Sequence, residues 1–116
     1  MRLLVFVGAS REDLKQFPEE VRQDVGFALY QAQCGGKTYA ARSLKGFGCS
    51  GVLEIREDHD GDTYRAVYTV KFGEVIYVLH CFQKKSKSGI RTPLQDIELI
   101  KRRLRAAEED HKANYK

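Results

Sequence analysis

The sequence has little of what marks a secreted, metal-binding or nucleotide-binding protein. Cysteine is scarce: Cys34, Cys49 and Cys81 are an odd number at spacings of 15 and 32 residues. No CxxC occurs and no Cys/His pair stands at zinc-ligand spacing, which leaves no disulfide framework and no zinc site to expect. Reduced thiols in a cytoplasmic protein are the expectation, with Cys81 a core residue. Long apolar runs are missing too. Met1-Arg2-Leu3-Leu4-Val5-Phe6-Val7 comes nearest, and it is far too short to span a bilayer or to form the core and flanks of a signal peptide. It reads as a first strand, and no membrane partner is expected.

Nucleotide and nucleophile motifs are absent in the same way. No Walker loop and no GxSxG elbow occurs. Gly46-Phe47-Gly48-Cys49-Ser50-Gly51 matches GxGxxG letter for letter, but that motif binds a dinucleotide only where it follows a strand and opens a helix. Here it precedes a strand with no helix behind it, so its glycines are expected to permit a turn and a strand start. There is no internal repeat and no low-complexity run. No metal and no cofactor are expected.

What the chain does have is charge. Its 116 residues carry a formal net charge of +4 and an isoelectric point near 9.0, which favours an anionic partner. The length suits one domain, spanning 1–116, around a single core. After the first strand, Ser10-Arg11-Glu12-Asp13 resembles a capping box and opens a short helical turn ending near Phe17. Pro18 suits the first position of a second helix. Its apolar stripe is Val21, Val25, Ala28, Leu29 and Ala32, and Gly35-Gly36 stops it. Lys37 to Gly51 is loop-like. Residues 52–57, 64–72 and 74–82 are β-branched and aromatic runs that form an antiparallel meander, joined by the polar turn 58–62 and a tight turn at Gly73 and Glu74. Val75 to Phe82 is apolar on both parities, the pattern of a central strand. Thr92-Pro93-Leu94-Gln95 supplies an N-cap, a proline at the first helical position and a capping-box glutamine. Leu94, Ile97, Ile100 or Lys101, and Leu104 then stripe a last helix that frays into a polar tail over 108–116. The expected fold is α+β: a strand, a helical hairpin, an antiparallel meander and a C-terminal helix, with helices covering one face of the sheet.

The most informative stretch is Tyr77-Val78-Leu79-His80-Cys81-Phe82-Gln83-Lys84-Lys85-Ser86-Lys87, a buried strand that runs into a cluster of cations with a histidine at the junction. Alternation sorts its surroundings. Leu53 and Ile55 go one way, Glu54 and Arg56 the other. Arg65, Val67, Thr69 and Lys71 share a face, opposite Ala66, Tyr68 and Val70. His80 is expected to share its face with Ile76, Val78 and Phe82. With helices on Leu53 and Ile55, the open face collects Glu54, Arg56, Arg65 and His80, and Lys84, Lys85 and Lys87 lie past its rim.

Such a set suits RNA cleavage. The ribose 2′-OH attacks the adjacent phosphodiester, a base removes its proton, an acid protonates the leaving 5′ oxygen, and cations stabilise the extra charge of the transition state. No metal is required. Arg matches phosphate oxygens bidentately and Lys serves as a point charge, while His titrates nearest working pH. Plainer uses of the same residues stay open. His80 can be a satisfied structural histidine, Glu54 with Arg56 or Arg65 a cross-strand ion pair, and 84–91 a solvated loop. His59 and His111 are expected to be exposed and idle, and Tyr64, Tyr68 and Tyr77 to pack rather than to stack on bases.

These residues resemble the RelE/ParE toxin superfamily, and most closely the phage-related HigB type of type II toxin–antitoxin systems. The carrying motifs are Lys45-Gly46 with Gly51-Val52-Leu53-Glu54-Ile55-Arg56, then Tyr64-Arg65-Ala66-Val67-Tyr68. The most specific is His80-Cys81-Phe82-Gln83-Lys84-Lys85-Ser86-Lys87 with Thr92-Pro93, Ile97-Glu98 and Lys101-Arg102-Arg103-Leu104. The resemblance covers nearly the whole chain and is weakest before Lys37. It implies a small basic toxin that cuts mRNA on the ribosome and is silenced by a cognate helix-turn-helix antitoxin. It implies catalytic roles for Arg65 at the scissile phosphate, for Lys84 and Lys85 beside it, and for Glu54 or His80 in proton transfer. Arg56, Lys45, Lys71, Lys87, Arg91, Lys101, Arg102 and Arg105 are the candidates for RNA binding. From Lys84 to Arg105 there are eight Lys/Arg against Asp96 and Glu98, a stripe suited to rRNA or mRNA phosphates, to antitoxin docking or simply to solvent. Two other functions are compatible with the same scaffold: non-catalytic gyrase inhibition of the ParE kind, and a phage-related nucleic-acid-binding module.

Overall fold

A computed structural model describes residues 1–36, 41–44, 47, 51–84 and 92–115. The elements are β1 (Leu3–Phe6), α1 (Ser10–Lys15), α2 (Glu19–Gln33), β2 (Ala41–Ser43), β3 (Val52–His59), β4 (Asp62–Phe72), β5 (Val75–Lys84) and α3 (Leu94–Asn114). The strands form one mixed sheet in the order β1-β5-β4-β3-β2. β1 runs parallel to β5, while β2, β3, β4 and β5 pair antiparallel in turn. The α+β meander fold expected from the sequence is present, with β2 as an added short strand inside the stretch read as loop.

α2 buries the stripe read from its spacing, Val21, Val25, Ala28, Leu29 and Ala32, against Ile55, Ala66, Tyr68, Ile76, Val78 and Cys81 of the sheet. Full burial of each such side chain contributes roughly 1.5–3 kcal/mol. Gly35, at φ +86, ends the helix: its N–H donates to Ala32 O (3.0 Å) and that of Gly36 to Gln31 O (2.9 Å). Cys81 is a core residue, and burial pushes its thiol up to about 12, which makes it chemically inert.

α3 corrects the one-sided arrangement. It lies on the opposite face, where Ile100 and Ala107 pack with Val52, Val67, Val75, Tyr77 and Leu79. Helices therefore cover both faces. Two-sided cover explains why β5 is apolar on both parities, but the middle strand of the sheet is β4, and β5 lies between β1 and β4. The polar turn is also tighter than 58–62: β3 continues to His59, β4 starts at Asp62, and Asp60-Gly61 closes the hairpin with φ of +49 and +85, the two-residue turn that an Asp-Gly pair favours.

Capping differs as well. Neither helix expected to carry a capping box has a side-chain cap, and Pro18 and Pro93 stand at the cap itself, one position before the first helical residue. Ser10 is buried and donates its hydroxyl to Val78 O (3.1 Å). α3 does not fray at 108. It continues to Asn114, held by the Tyr77 hydroxyl, which donates to Asp110 Oδ2 at 2.7 Å. Burial and this carboxylate together raise the Tyr77 pKa above the ordinary tyrosine range. Tyr77→Phe removes one hydrogen bond to a charged acceptor that water can still reach. The expected loss is about 1 kcal/mol in urea unfolding, with faster amide exchange over the last two turns of α3 and no change in the rest of the sheet.

Candidate functional site

The site is built from successive cross-strand rows on the α3 face. Glu54 of β3 pairs with Val67 of β4, which pairs with His80 of β5; the next row is Arg56, Arg65 and Phe82. Residues directly opposite each other point to the same side of a sheet, so the strand pairing brings four functional groups together: Glu54, Arg56, Arg65 and His80. Lys84 follows two residues after Phe82, opposite Thr63.

His80 reaches this face through a β-bulge. Val67 pairs with His80, yet Tyr68 pairs with Val78, so Leu79 is an extra residue on β5. Ile76 and Val78 belong to the α2-side core, while Tyr77 and Leu79 belong to the α3-side core. The sequence reading that put His80 with Ile76 and Val78 is corrected here: strict alternation would have sent it to the α2 side, away from Arg65. Bulges re-aim side chains in this way. The irregular backbone is satisfied from both sides. Val78 O accepts from Val7 N (2.9 Å) and the Ser10 hydroxyl, and Leu79 O accepts from Arg103 Nη1 of α3 at 2.9 Å.

At the first row, Glu54 is buried and engaged through both oxygens. Oε1 accepts from Arg56 Nη2 at 3.0 Å; Oε2 accepts from Arg65 Nη1 at 3.3 Å and from the Thr92 hydroxyl at 3.3 Å. Thr92 Oγ1 in turn accepts from Arg65 Nη1 at 3.1 Å. The residue read as a helix cap thus bridges the arginine and the carboxylate. Arg65 is only 2% exposed and Arg56 30%, so Arg65 lies beneath the surface and Arg56 opens to solvent. Lys84 is half-buried, and its ammonium is pushed below the usual lysine range first by burial, then by Arg65 and Arg56. Three cations thus face one carboxylate.

His80 is held separately. Its Nε2 lies 2.8 Å from Asp96 Oδ1 on α3, its ring stacks on Phe82 at 4.6 Å between centroids, and its Nδ1 is buried with no hydrogen-bond partner among the described residues. Asp96, Thr92 and Arg103 were not sequence candidates. A signal existed for two of them: positions 96, 100, 103 and 107 repeat at helical spacing, so Asp96 and Arg103 share the sheet-facing stripe of Ile100 and Ala107.

The other candidates are scattered. Lys71 is exposed and lies six residues beyond Arg65 on β4, about 20 Å away at strand spacing. Arg102 and Arg105 are exposed and Lys101 half-buried on α3. Lys45, Lys85, Lys87 and Arg91 lie outside the described residues. His59 and His111, expected to be exposed, are both half-buried; His59 lies 3.3 Å from Asp60 and His111 packs on Phe72. Tyr64 packs edge-on against Phe17 at 4.9 Å.

Arg103→Met keeps the stem of the side chain and removes the donor to Leu79 O. The expected cost is about 1–3 kcal/mol of stability. The His80 ring signals should also shift, because the bulge loses its anchor on α3; unchanged signals would separate the bulge from Arg103.

Comparison with known proteins supplies a family. The family described as Phage derived protein Gp49-like (DUF891) matches residues 12–105. No curated protein is a significant sequence match. Among solved structures, the chain is similar to the isolated RelE toxin of E. coli, with a TM-score of 0.60 and 19% identity over 88% of this chain and 98% of that one. It is also similar to a chain of the RelBE2 toxin–antitoxin complex of Mycobacterium tuberculosis, with a TM-score of 0.50 and 15% identity over 72% of this chain and 98% of that one. Structural likeness at such low identity shows the fold alone, while the family match extends over most of the sequence. The chain belongs to the Gp49-like phage-derived family and is built on the RelE toxin fold.

Proposed function

We propose that this protein is the toxin of a type II toxin–antitoxin system, of the phage-related HigB type, and that it acts as a ribosome-dependent mRNA endoribonuclease in the cytoplasm. The observation that carries the reading is the charge imbalance on one sheet face among the described residues: Arg56, Arg65 and Lys84 cluster at the carboxylate of Glu54, one row from an imidazole paired with the carboxylate of Asp96. A site with surplus positive charge in a poorly solvated setting suits a phosphodiester whose charge grows in the transition state.

In this reading the half-buried Arg56 and Lys84 meet the phosphate, and Arg65 adds its charge from beneath, where screening is weak. Glu54 orders the arginines, since both of its oxygens are engaged by them and by Thr92. His80 takes the proton of the attacking 2′-OH, and Lys84, whose ammonium is pushed down, gives one to the leaving 5′ oxygen. The protein's own cations supply the charge stabilisation, so the chemistry requires no metal. Lys85 shares the catalytic role, and Lys45, Lys87 and Arg91 act with Lys101, Arg102 and Arg105 in holding mRNA and rRNA phosphates. A helix-turn-helix antitoxin silences the protein.

The test is expression from a tightly repressed promoter with mapping of new mRNA 5′ ends. The wild type is expected to arrest growth and cut translated codons in frame. Arg65→Ala and Lys84→Ala are each expected to reduce cleavage by about 10²–10³-fold, the usual loss when one stabilising donor is removed. Lys84→Ala is the cleaner variant, because Arg65→Ala also strips Glu54 of a buried partner. A fully toxic Arg65→Ala would sink its phosphate role, and arrest with intact mRNA would point to gyrase inhibition.

The outer cations of α3 give a second measurement. Replacing Lys101, Arg102 and Arg105 together by Ala is expected to flatten the salt dependence of single-stranded RNA binding by about 2 in log–log slope, with the melting temperature unchanged. An unaltered slope would mean that these residues face solvent or antitoxin.

A further inference from the structure

We infer that Asp96 is a positioning residue for the proposed cleavage: it fixes His80 as the Nε2–H tautomer, so that Nδ1 is the atom that takes the 2′-OH proton. The inference rests on the nuclease reading for its chemistry but on separate geometry for its content.

The geometry begins with the 2.8 Å contact between His80 Nε2 and Asp96 Oδ1, side chains only 8% and 20% exposed. An ionised carboxylate accepts and cannot donate, so the neutral imidazole must carry its hydrogen on Nε2. The second nitrogen is then a lone pair. Nδ1 is buried and, among the described residues, has no hydrogen-bond partner, an expensive state for a polar atom in an interior and one that calls for explanation. A histidine serving only as a tether for α3 has no reason to keep a second nitrogen unmatched. A proton acceptor for a substrate hydroxyl does, once bound RNA uncovers that edge of the ring. Phe82, stacked on the ring with an interplanar angle of 16°, resists rotation of the imidazole that would exchange the two nitrogens.

The step balances without any further reactant. The 2′ oxygen forms a bond to phosphorus as its proton passes to Nδ1, and the bond from phosphorus to the 5′ oxygen breaks. That oxygen takes a proton from Lys84. The products are a 2′,3′-cyclic phosphate and a free 5′-hydroxyl, and water returns the proton from imidazolium to the lysine. Throughout, Nε2–H stays on Asp96, and the carboxylate stabilises the imidazolium that forms. Asp96 itself touches neither the phosphate nor the 2′ oxygen.

Replacing the carboxylate by an amide makes the claim testable, because Asn can offer an N–H to Nε2 and stabilise the other tautomer. The experiment is nitrogen-15 NMR of the His80 ring in wild type, Asp96→Asn and Asp96→Glu, with single-turnover cleavage of ribosome-bound mRNA and thermal melting on the same samples. The wild type is expected to show Nε2–H with a bare Nδ1. Asp96→Asn is expected to shift the ring toward Nδ1–H and to slow cleavage by about 10²-fold or more at a similar melting temperature. Asp96→Glu is expected to restore the tautomer and part of the rate. A wild-type ring protonated at Nδ1, or an Asp96→Asn variant that changes tautomer without losing rate, would overturn the inference. A wild-type protein that cuts no RNA would overturn the nuclease reading, while the spectrum would still decide the tautomer.

Discussion

The site depends on one extra residue in β5. Leu79 breaks the alternation of an otherwise regular strand, and everything after it changes sides. Without the bulge, the histidine that precedes the basic segment would be buried among the α2-side core residues. With it, His80 stands one row from Arg65 and within reach of Asp96. An irregular strand leaves backbone groups without ladder partners, and here two distant elements supply them: Ser10 from the start of α1 and Arg103 from α3. The same contacts that dock the helices onto the sheet therefore also hold the strand out of register.

The electrostatics follow from what the bulge assembles. Glu54 keeps Arg65 and Arg56 in fixed positions, and burial of Lys84, then the like charges of Arg65 and Arg56, make its protonated form less favourable. Breaking a buried pair by removing one partner is far more costly than the net worth of the pair, so the arrangement is more important for placing charge than for stabilising the fold. A cluster of three cations around one carboxylate, with one guanidinium buried, favours the approach of a further anion.

Much of this was legible in the sequence, and what escaped has physical causes. The α2 stripe was readable because each apolar residue at helical spacing is buried, and the meander because Gly and Asp mark its turns. The convergence of Glu54, Arg56, Arg65 and His80 was inferred correctly, but with His80 assigned to the wrong parity. A bulge adds no distinctive residue, and Leu79 looks like any other strand position. The side of the sheet taken by α3 was hidden for a related reason: its sheet-facing stripe includes the half-buried Asp96, Arg103 and Asp110, which a hydrophobicity pattern counts as solvent-facing. Thr92 looked like a helix cap because threonine before proline normally is one; here its hydroxyl has stronger partners in Arg65 and Glu54.

Gly8 links the two ends of the chain. It sits at φ +59 just past β1, and a Cβ built there would lie 2.9 Å from Arg103 Nε. The first loop thus leaves a methyl-sized gap that the guanidinium of the last helix occupies on its way to Leu79 O. A side chain at position 8 would be strained by the backbone and would crowd Arg103, although it touches neither the histidine nor the cation cluster. Positions 8 and 103 are therefore expected to vary together among relatives, a covariation between residues far apart in sequence whose shared role is to keep one strand irregular.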